Sequence, residues 1–200
     1  MMILTIIGGA SGVGKTSLLK SLADIRQINT GDLFKRAMIL GNRDDIKKGD
    51  WSVYEEDVAS DMAKITIESI GSGQDIIIDT HFAAKIFGKS YRIGLREEYL
   101  RQFGQAILSQ ESIAIRVVLV STDPYLLLNR RRLDSSRNRE LVPSDCYNDL
   151  RSNDIYSRRY SHTLRMEAGK VNLKCDIEYH VVDNDDFDFA QKQLTIILGR

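Results

Sequence analysis

At 200 residues and 42% hydrophobic, the chain is long enough to bury a full core without dividing, and one domain spanning residues 1–200 is the expectation. Lys plus Arg equals Asp plus Glu at 28 each, so no overall field draws the molecule to nucleic acid or to an anionic membrane; any phosphate binding has to come from local clusters. Cys146 and Cys175 form no C-x-x-C pair and are too few for a disulfide framework, which suits a reducing cytosol and a cytoplasmic location.

The first apolar run, MMILTIIGGA, lacks a basic flank and is far too short to span a bilayer, so it reads as a strand ending at Gly8-Gly9 and buried on both faces. A helix follows from about Gly14 to Ile25, with Leu18, Leu19 and Leu22 on one stripe. A brief extended segment at Ile28 leads to Asn29-Thr30-Gly31-Asp32, which opens a second helix ending near Gly41. From Tyr54 to Ile70, Val58, Met62, Ile65 and Ile70 recur at near-helical spacing until Gly71 and Gly73 stop the pattern. The short apolar runs Asp75–Asp79, Ile113–Val120 and Glu178–Val182 are separated by helical stretches, and this alternation argues for an α/β fold with a parallel sheet covered on both faces. Ser121-Thr122-Asp123-Pro124 starts a helix that Leu126 to Leu128 carry inward. Arg130 to Glu140, rich in Arg and poor in apolar residues, is expected to lie outside the core as the most mobile stretch. A last helix from about Asp186 to Leu198 covers the sheet.

The strongest chemical signal is Gly9-Ala10-Ser11-Gly12-Val13-Gly14-Lys15-Thr16, a complete G-x-x-x-x-G-K-[ST] placed between a strand and a helix. Its glycines let the backbone wrap so that successive N–H groups face a β-phosphate. Lys15 supplies a point charge for a γ-phosphoryl group, Thr16 a hydroxyl for Mg²⁺, and Ser17 a hydroxyl for the α-phosphate region. Asp79, at the end of a neighbouring strand, is placed to hold the water shell of the ion, which makes Thr16 and Asp79 the expected Mg²⁺ residues. Thr80 and His81 follow, and His81 reads either as an acceptor-phosphate contact or as a packing residue. Arg130, Arg131, Arg132, Arg137 and Arg139 form a concentrated positive segment, suited to stabilising charge on a transferring phosphoryl group as a lid closes. No aromatic residues are interleaved there to stack bases, which argues against nucleic acid.

With these residues in hand, the chain resembles the nucleoside monophosphate kinases, and within them the archaeal type of adenylate kinase, nearly end to end. Thr30-Gly31-Asp32-Leu33-Phe34 matches the family's acceptor wall, whose Arg falls at Lys35 or at Arg36. Asp79-Thr80-His81 looks like the archaeal version of that motif, and Leu127 to Glu140 resembles the archaeal lid, with Arg137 and Arg139 as lid arginines and Arg131 or Arg132 as the hinge-side partner. The resemblance implies a P-loop NTPase fold with a five-stranded parallel sheet in the order 2-3-1-4-5, an acceptor segment at about 30–73, a lid at about 130–143, and a homo-oligomer, often a trimer. Gly88 to Gly94 departs from the family's Gly-Tyr-Leu-Pro-Gly stretch.

The expected function is Mg²⁺-dependent phosphoryl transfer from ATP to a nucleoside monophosphate, AMP first. Lys15, Asp79, Arg137 and Arg139 form the catalytic set, residues Gly9 to Ser17 the nucleotide site, and Thr30, Gly31, Lys35, Arg36, Thr80 and His81 the acceptor site. The alternatives are a kinase for another small acceptor and a nucleotide-dependent regulatory protein. A GTPase switch is disfavoured because Val182-Asp183-Asn184-Asp185 lacks the Lys of an Asn-Lys-x-Asp motif.

Overall fold

A computed structural model describes residues 2–38, 51–86, 90–110, 113–134, 142–171 and 175–200. Five parallel strands form the central sheet: β1 (Met2–Gly8), β2 (Arg26–Asn29), β3 (Ile76–Thr80), β6 (Ile113–Ser121) and β7 (Asp176–Asp183). Their spatial order is β2-β3-β1-β6-β7. Numbered among the sheet strands alone, that is 2-3-1-4-5, as the resemblance implies. A separate antiparallel hairpin, β4 (Ala83–Ile86) with β5 (Ser90–Ile93), follows β3 directly. The helices are α1 (Lys15–Lys20), α2 (Thr30–Ala37), α3 (Glu55–Gly71), α4 (Glu97–Leu108), α5 (Pro124–Leu133), α6 (Pro143–Lys170) and α7 (Phe187–Ile197). Among the described residues, no helix is long and apolar enough to cross a membrane.

The sheet separates two apolar layers, as the alternation of side chains along β1 requires. Leu4 and Ile6 face a layer built by Val58 and Met62 of α3, Leu100, Phe103 and Ile107 of α4, and Tyr160, Leu164 and Ala168 of α6. Ile7 faces the other, with Leu18 and Leu19 of α1, Leu127 and Leu128 of α5, and Ala190 and Leu194 of α7. Parallel register brings the carboxyl ends of the strands together: Gly8 lies beside Thr80 and Leu119, Asn29 beside Asp79, and Ser121 beside Asp183. A crevice at the carboxyl edge of such a sheet is where an open α/β fold binds ligands.

The hairpin was not foreseen, because strands of four residues are too short to display a period in sequence. Buried polar contacts fasten it. The Ala83 N–H donates to Asn153 Oδ1 of α6 at 3.2 Å, and the Tyr156 hydroxyl of α6 donates to the Tyr91 carbonyl at 3.2 Å. Phe82, fully buried, meets Tyr160 edge to face with centroids 5.1 Å apart, and the Tyr160 hydroxyl accepts from the Leu95 N–H at 2.7 Å. At the start of α3, Glu55 is 0% exposed and accepts from the Arg92 guanidinium, from the Arg96 N–H at 2.9 Å and from Arg96 Nε at 3.3 Å. One carboxylate therefore joins the hairpin, α3 and α4.

Removing that fully buried carboxylate would take away the acceptor shared by the Arg92 guanidinium and by the backbone and side chain of Arg96. We expect Glu55→Ala to destabilise the fold by about 3 kcal/mol, measured by urea unfolding against a conservative surface variant.

Candidate active site

β1 delivers the chain into the glycine-rich loop, where backbone crowding dictates which residues fit. A Cβ on Gly9 would stand 2.3 Å from the Val120 carbonyl oxygen, so the loop lies directly on β6. Gly14 has φ +94°, and a Cβ there would stand 2.4 Å from Asn184 Nδ2. Lys15, 7% exposed, donates from Nζ to the Gly9 carbonyl at 3.0 Å. His81 Nδ1 lies 3.0 Å from the same oxygen. A carbonyl can only accept, so this bond places the proton on Nδ1. The Gly14 carbonyl accepts from the Ser17 and Leu18 N–H groups and starts α1, whose first turn exposes Thr16 and Ser17.

Two alternate carbonyls of the loop, Ser11 and Val13, are held by side chains from α5 and from the end of β7. Arg131 Nε donates to Ser11 at 2.9 Å. Val13 accepts from Asn184 Nδ2 at 2.6 Å and from Arg130 Nη1 at 3.3 Å. Arg130 also reaches Thr122 Oγ1 at 3.3 Å and the Asn184 carbonyl at 2.6 Å. In a trans peptide the C=O and the following N–H point in opposite directions. With the oxygens of Ser11 and Val13 drawn toward α5, the N–H groups of Gly12 and Gly14 are turned away from it, which is the arrangement of an anion-binding nest.

The loops behind this clamp are pinned in turn. Asp185 Oδ1 accepts from Thr122 Oγ1 and from the Asp123 N–H, each at 2.7 Å. The Asp123 N–H and the Thr122 hydroxyl hold the Asp185 carboxyl below the usual carboxylate range, whereas burial, followed by the Asp185 charge, raises that of Asp183. Asp123 itself caps α5 by accepting from the Tyr125 and Leu126 N–H groups at 2.8 and 3.2 Å.

On the other side of the loop, Asp79, the next-to-last residue of β3, has its carboxylate held by Asn29, whose Nδ2 donates to Oδ2 at 2.7 Å. The oxygen of the same Asn29 amide caps α2 by accepting from the Gly31 N–H at 2.9 Å. Thr30, buried at the first position of α2, donates to the Asp79 carbonyl at 3.3 Å and lies 3.2 Å from the Thr80 hydroxyl. The structure thus brings together Asp79, Thr80, Thr30 and Gly31 beside the loop, with His81 in contact with Gly9. Lys35 and Arg36 lie in the last turn of α2, Lys35 half-buried and Arg36 exposed.

The arginine segment divides. Arg130 to Leu133 continue α5, and Arg131 is only 7% exposed, which corrects the expectation that this stretch stands outside the core. Its charge is tolerated because it is met by the Ser11 carbonyl and by Asp149 of α6, whose Oδ2 accepts from Nη2 at 2.5 Å. Arg132 is exposed, and Arg137 and Arg139 lie outside the described residues. Arg158 and Arg159 pair with Asp154 and Glu97 on the surface. Sequence reasoning missed Asn29, Asn184 and Asp149 as site residues; the one signal available was the position of Asn29 and Asn184 at strand ends.

The profile of the AAA domain family matches residues 8–145. An adenylate kinase of Thermoplasma acidophilum is 30% identical over 173 residues, covering 82% of this chain and 84% of the relative. The chain belongs to the P-loop nucleoside monophosphate kinases. An adenylate kinase of Methanoculleus marisnigri, 28% identical over 201 residues, covers 93% of the kinase described here and is itself covered to 92%. Among solved structures, the shikimate kinase of Bacteroides thetaiotaomicron superimposes with a TM-score of 0.53 at 13% identity, each chain covered to 100%, and shares the fold.

Because Gly14 combines a left-handed φ with contact to Asn184, Gly14→Ala has to displace the amide that holds Val13. The expected cost is about 1–3 kcal/mol of stability, read from urea unfolding, with Gly71→Ala, which meets open space, as the control.

Proposed function

We propose that this kinase transfers the γ-phosphoryl group of Mg²⁺-ATP to a nucleoside monophosphate, with AMP as the first candidate. The observation that carries the reading is the adjacency, fixed by sheet register, of the clamped loop at Gly8–Gly14 and the Asn29–Thr30–Asp79–Thr80 cluster at the mouth of α2. The adenylate kinase names of the relatives support the choice of acceptor.

On this reading the acceptor's phosphate oxygen bonds to the γ-phosphorus while the bond from that phosphorus to the β,γ-bridging oxygen breaks, and the electron pair leaves with ADP. Little covalent chemistry is asked of the protein; positioning and charge stabilisation do the work. The loop N–H groups hold the β-phosphate, and Lys15 leaves the Gly9 carbonyl to follow the γ-phosphoryl group. Thr30, Gly31, Thr80 and His81, with Lys35 or Arg36, orient the acceptor phosphate. Arg137 and Arg139 bring guanidinium charge to the transferring oxygens. The exposed Thr16 hydroxyl and the Asp79 carboxylate, the latter through water, are oxygen donors of the kind Mg²⁺ takes, and they would hold the ion. When bound, the ion neutralises charge on the β- and γ-oxygens. The free thiols of Cys146 and Cys175 fit a cytoplasmic protein.

The test is ADP formation with Mg²⁺-ATP and AMP, GMP, CMP, UMP or dTMP, each against a control without acceptor. A rate dependent on AMP supports the assignment. No rise with any monophosphate would leave the donor site standing and refute the acceptor. In the same assay Lys15→Ala is expected to abolish transfer, and Arg137→Ala to lower kcat by roughly 10²-fold with ATP binding retained.

A further inference from the structure

Arg131 is buried where it reaches the loop, whereas Arg130 is only partly so, and its orientation has an identifiable source. Its Nε serves the Ser11 carbonyl at 2.9 Å, Nη2 serves Asp149 Oδ2 at 2.5 Å, and Nη1 lies 3.6 Å from Cys146 Sγ. A guanidinium is a rigid planar fork, so fixing one nitrogen fixes the direction of the others. Asp149 stands near the start of α6 and is only partly exposed. Its other oxygen, Oδ1, accepts from the Tyr91 hydroxyl of β5. The Tyr91 hydroxyl titrates far above the ordinary phenol range, raised by burial first and then by the Asp149 carboxylate. Both Asp149 oxygens are thus engaged, Oδ1 by the Tyr91 hydroxyl and Oδ2 by Arg131. The Asp149 backbone is fixed as well, since its carbonyl accepts from Asn153 Nδ2 at 2.8 Å, and the Asn153 side-chain oxygen in turn receives the Ala83 N–H.

We propose that Asp149 and Tyr91 are positioning residues of the donor site: the carboxylate, itself held by the hydroxyl, sets Arg131 so that its Nε keeps the Ser11 carbonyl turned out of the phosphate nest. Loss of that hold removes the hydrogen bond that Arg131 gives the Ser11 carbonyl, and a peptide rotated between Ser11 and Gly12 would present carbonyl lone pairs to the phosphates in place of the Gly12 N–H. The proposal rests on the donor-site reading above and assigns neither residue a contact with nucleotide. It also makes β5, an element outside the glycine-rich motif, part of what shapes the nest.

The experiment is calorimetric titration of Mg²⁺-ATP into the full chain without acceptor, so that it does not depend on which acceptor is used. Asp149→Asn, which keeps the shape and removes the charge, is expected to weaken binding roughly 10-fold. Tyr91→Phe, which keeps the ring, is expected to weaken it ~3-fold, and it tests the idea even if the Asp149 variant folds poorly. In an Arg131→Lys background, where the fork is already gone, both effects should shrink below twofold; damage to the fold in general would not be erased by that background. Binding by Asp149→Asn and Tyr91→Phe within twofold of the unaltered protein, or losses undiminished in the Arg131→Lys background, would overturn the proposal. Failure of the unaltered protein to bind Mg²⁺-ATP would refute the donor-site reading itself, and the proposal with it.

Discussion

A cradle of backbone N–H groups can form only if the carbonyls that alternate with them have partners on the opposite side. A buried peptide oxygen left without a partner costs on the order of 1–3 kcal/mol, and in a short glycine-rich loop that is enough to turn a peptide over. Here Ser11 and Val13, the alternate positions, are served by Arg131, Arg130 and Asn184. The aim of those side chains follows from ordinary helix geometry. Asp123 caps α5 and sets its rotation, Leu127 and Leu128 lock that face into the core, and Arg130 and Arg131, three residues further on, share the stripe and emerge at the loop. The apolar contacts that dock α5 thus also direct its charges.

The same logic links the two sides of the crevice. From the Ser11 carbonyl, polar contacts run through Arg131 and Asp149 to Tyr91 in β5; the next residue, Arg92, joins Glu55 at the head of α3. On the far side, a single amide, Asn29, holds the Asp79 carboxylate and caps α2. The glycine-rich loop, the hairpin and the start of α2 are therefore fixed relative to one another by a few shared groups. That suits a reaction in which two phosphates have to meet in line and the enzyme forms no covalent bond of its own.

Much of this frame was legible in the sequence, and the reason is local chemistry. The glycine spacing of residues 9–16, the β-branched runs of β1, β3 and β6, and the Asp123-Pro124 start of α5 each announce themselves within a few residues. Asp79 could be placed because a carboxylate at a strand end beside such a loop has few other places to be. What escaped depends on contacts between residues far apart in sequence. Asn184 reaches Val13 across 171 positions and Arg131 reaches Ser11 across 120, and neither leaves a period or a motif. Arg131 is expected outside the core because its stretch is rich in Arg and poor in apolar residues; its burial depends on Asp149, on a different helix. The hairpin was hidden by the shortness of its strands, and the polar residues Asn153 and Ser157 on the inner face of α6 mask that helix's buried stripe.

The central claim is that α5 and the end of β7 shape the nest from behind, by holding its carbonyls. A crystal structure of the kinase with Mg²⁺ and a non-hydrolysable ATP analogue tests this most directly. The account requires the Gly12 and Gly14 N–H groups to lie within hydrogen-bond distance of phosphate oxygens while Arg131 and Arg130 remain on the Ser11 and Val13 carbonyls. If both arginines instead left those carbonyls to bind phosphate and the loop kept its shape, the nest would not need the clamp and the account would be wrong.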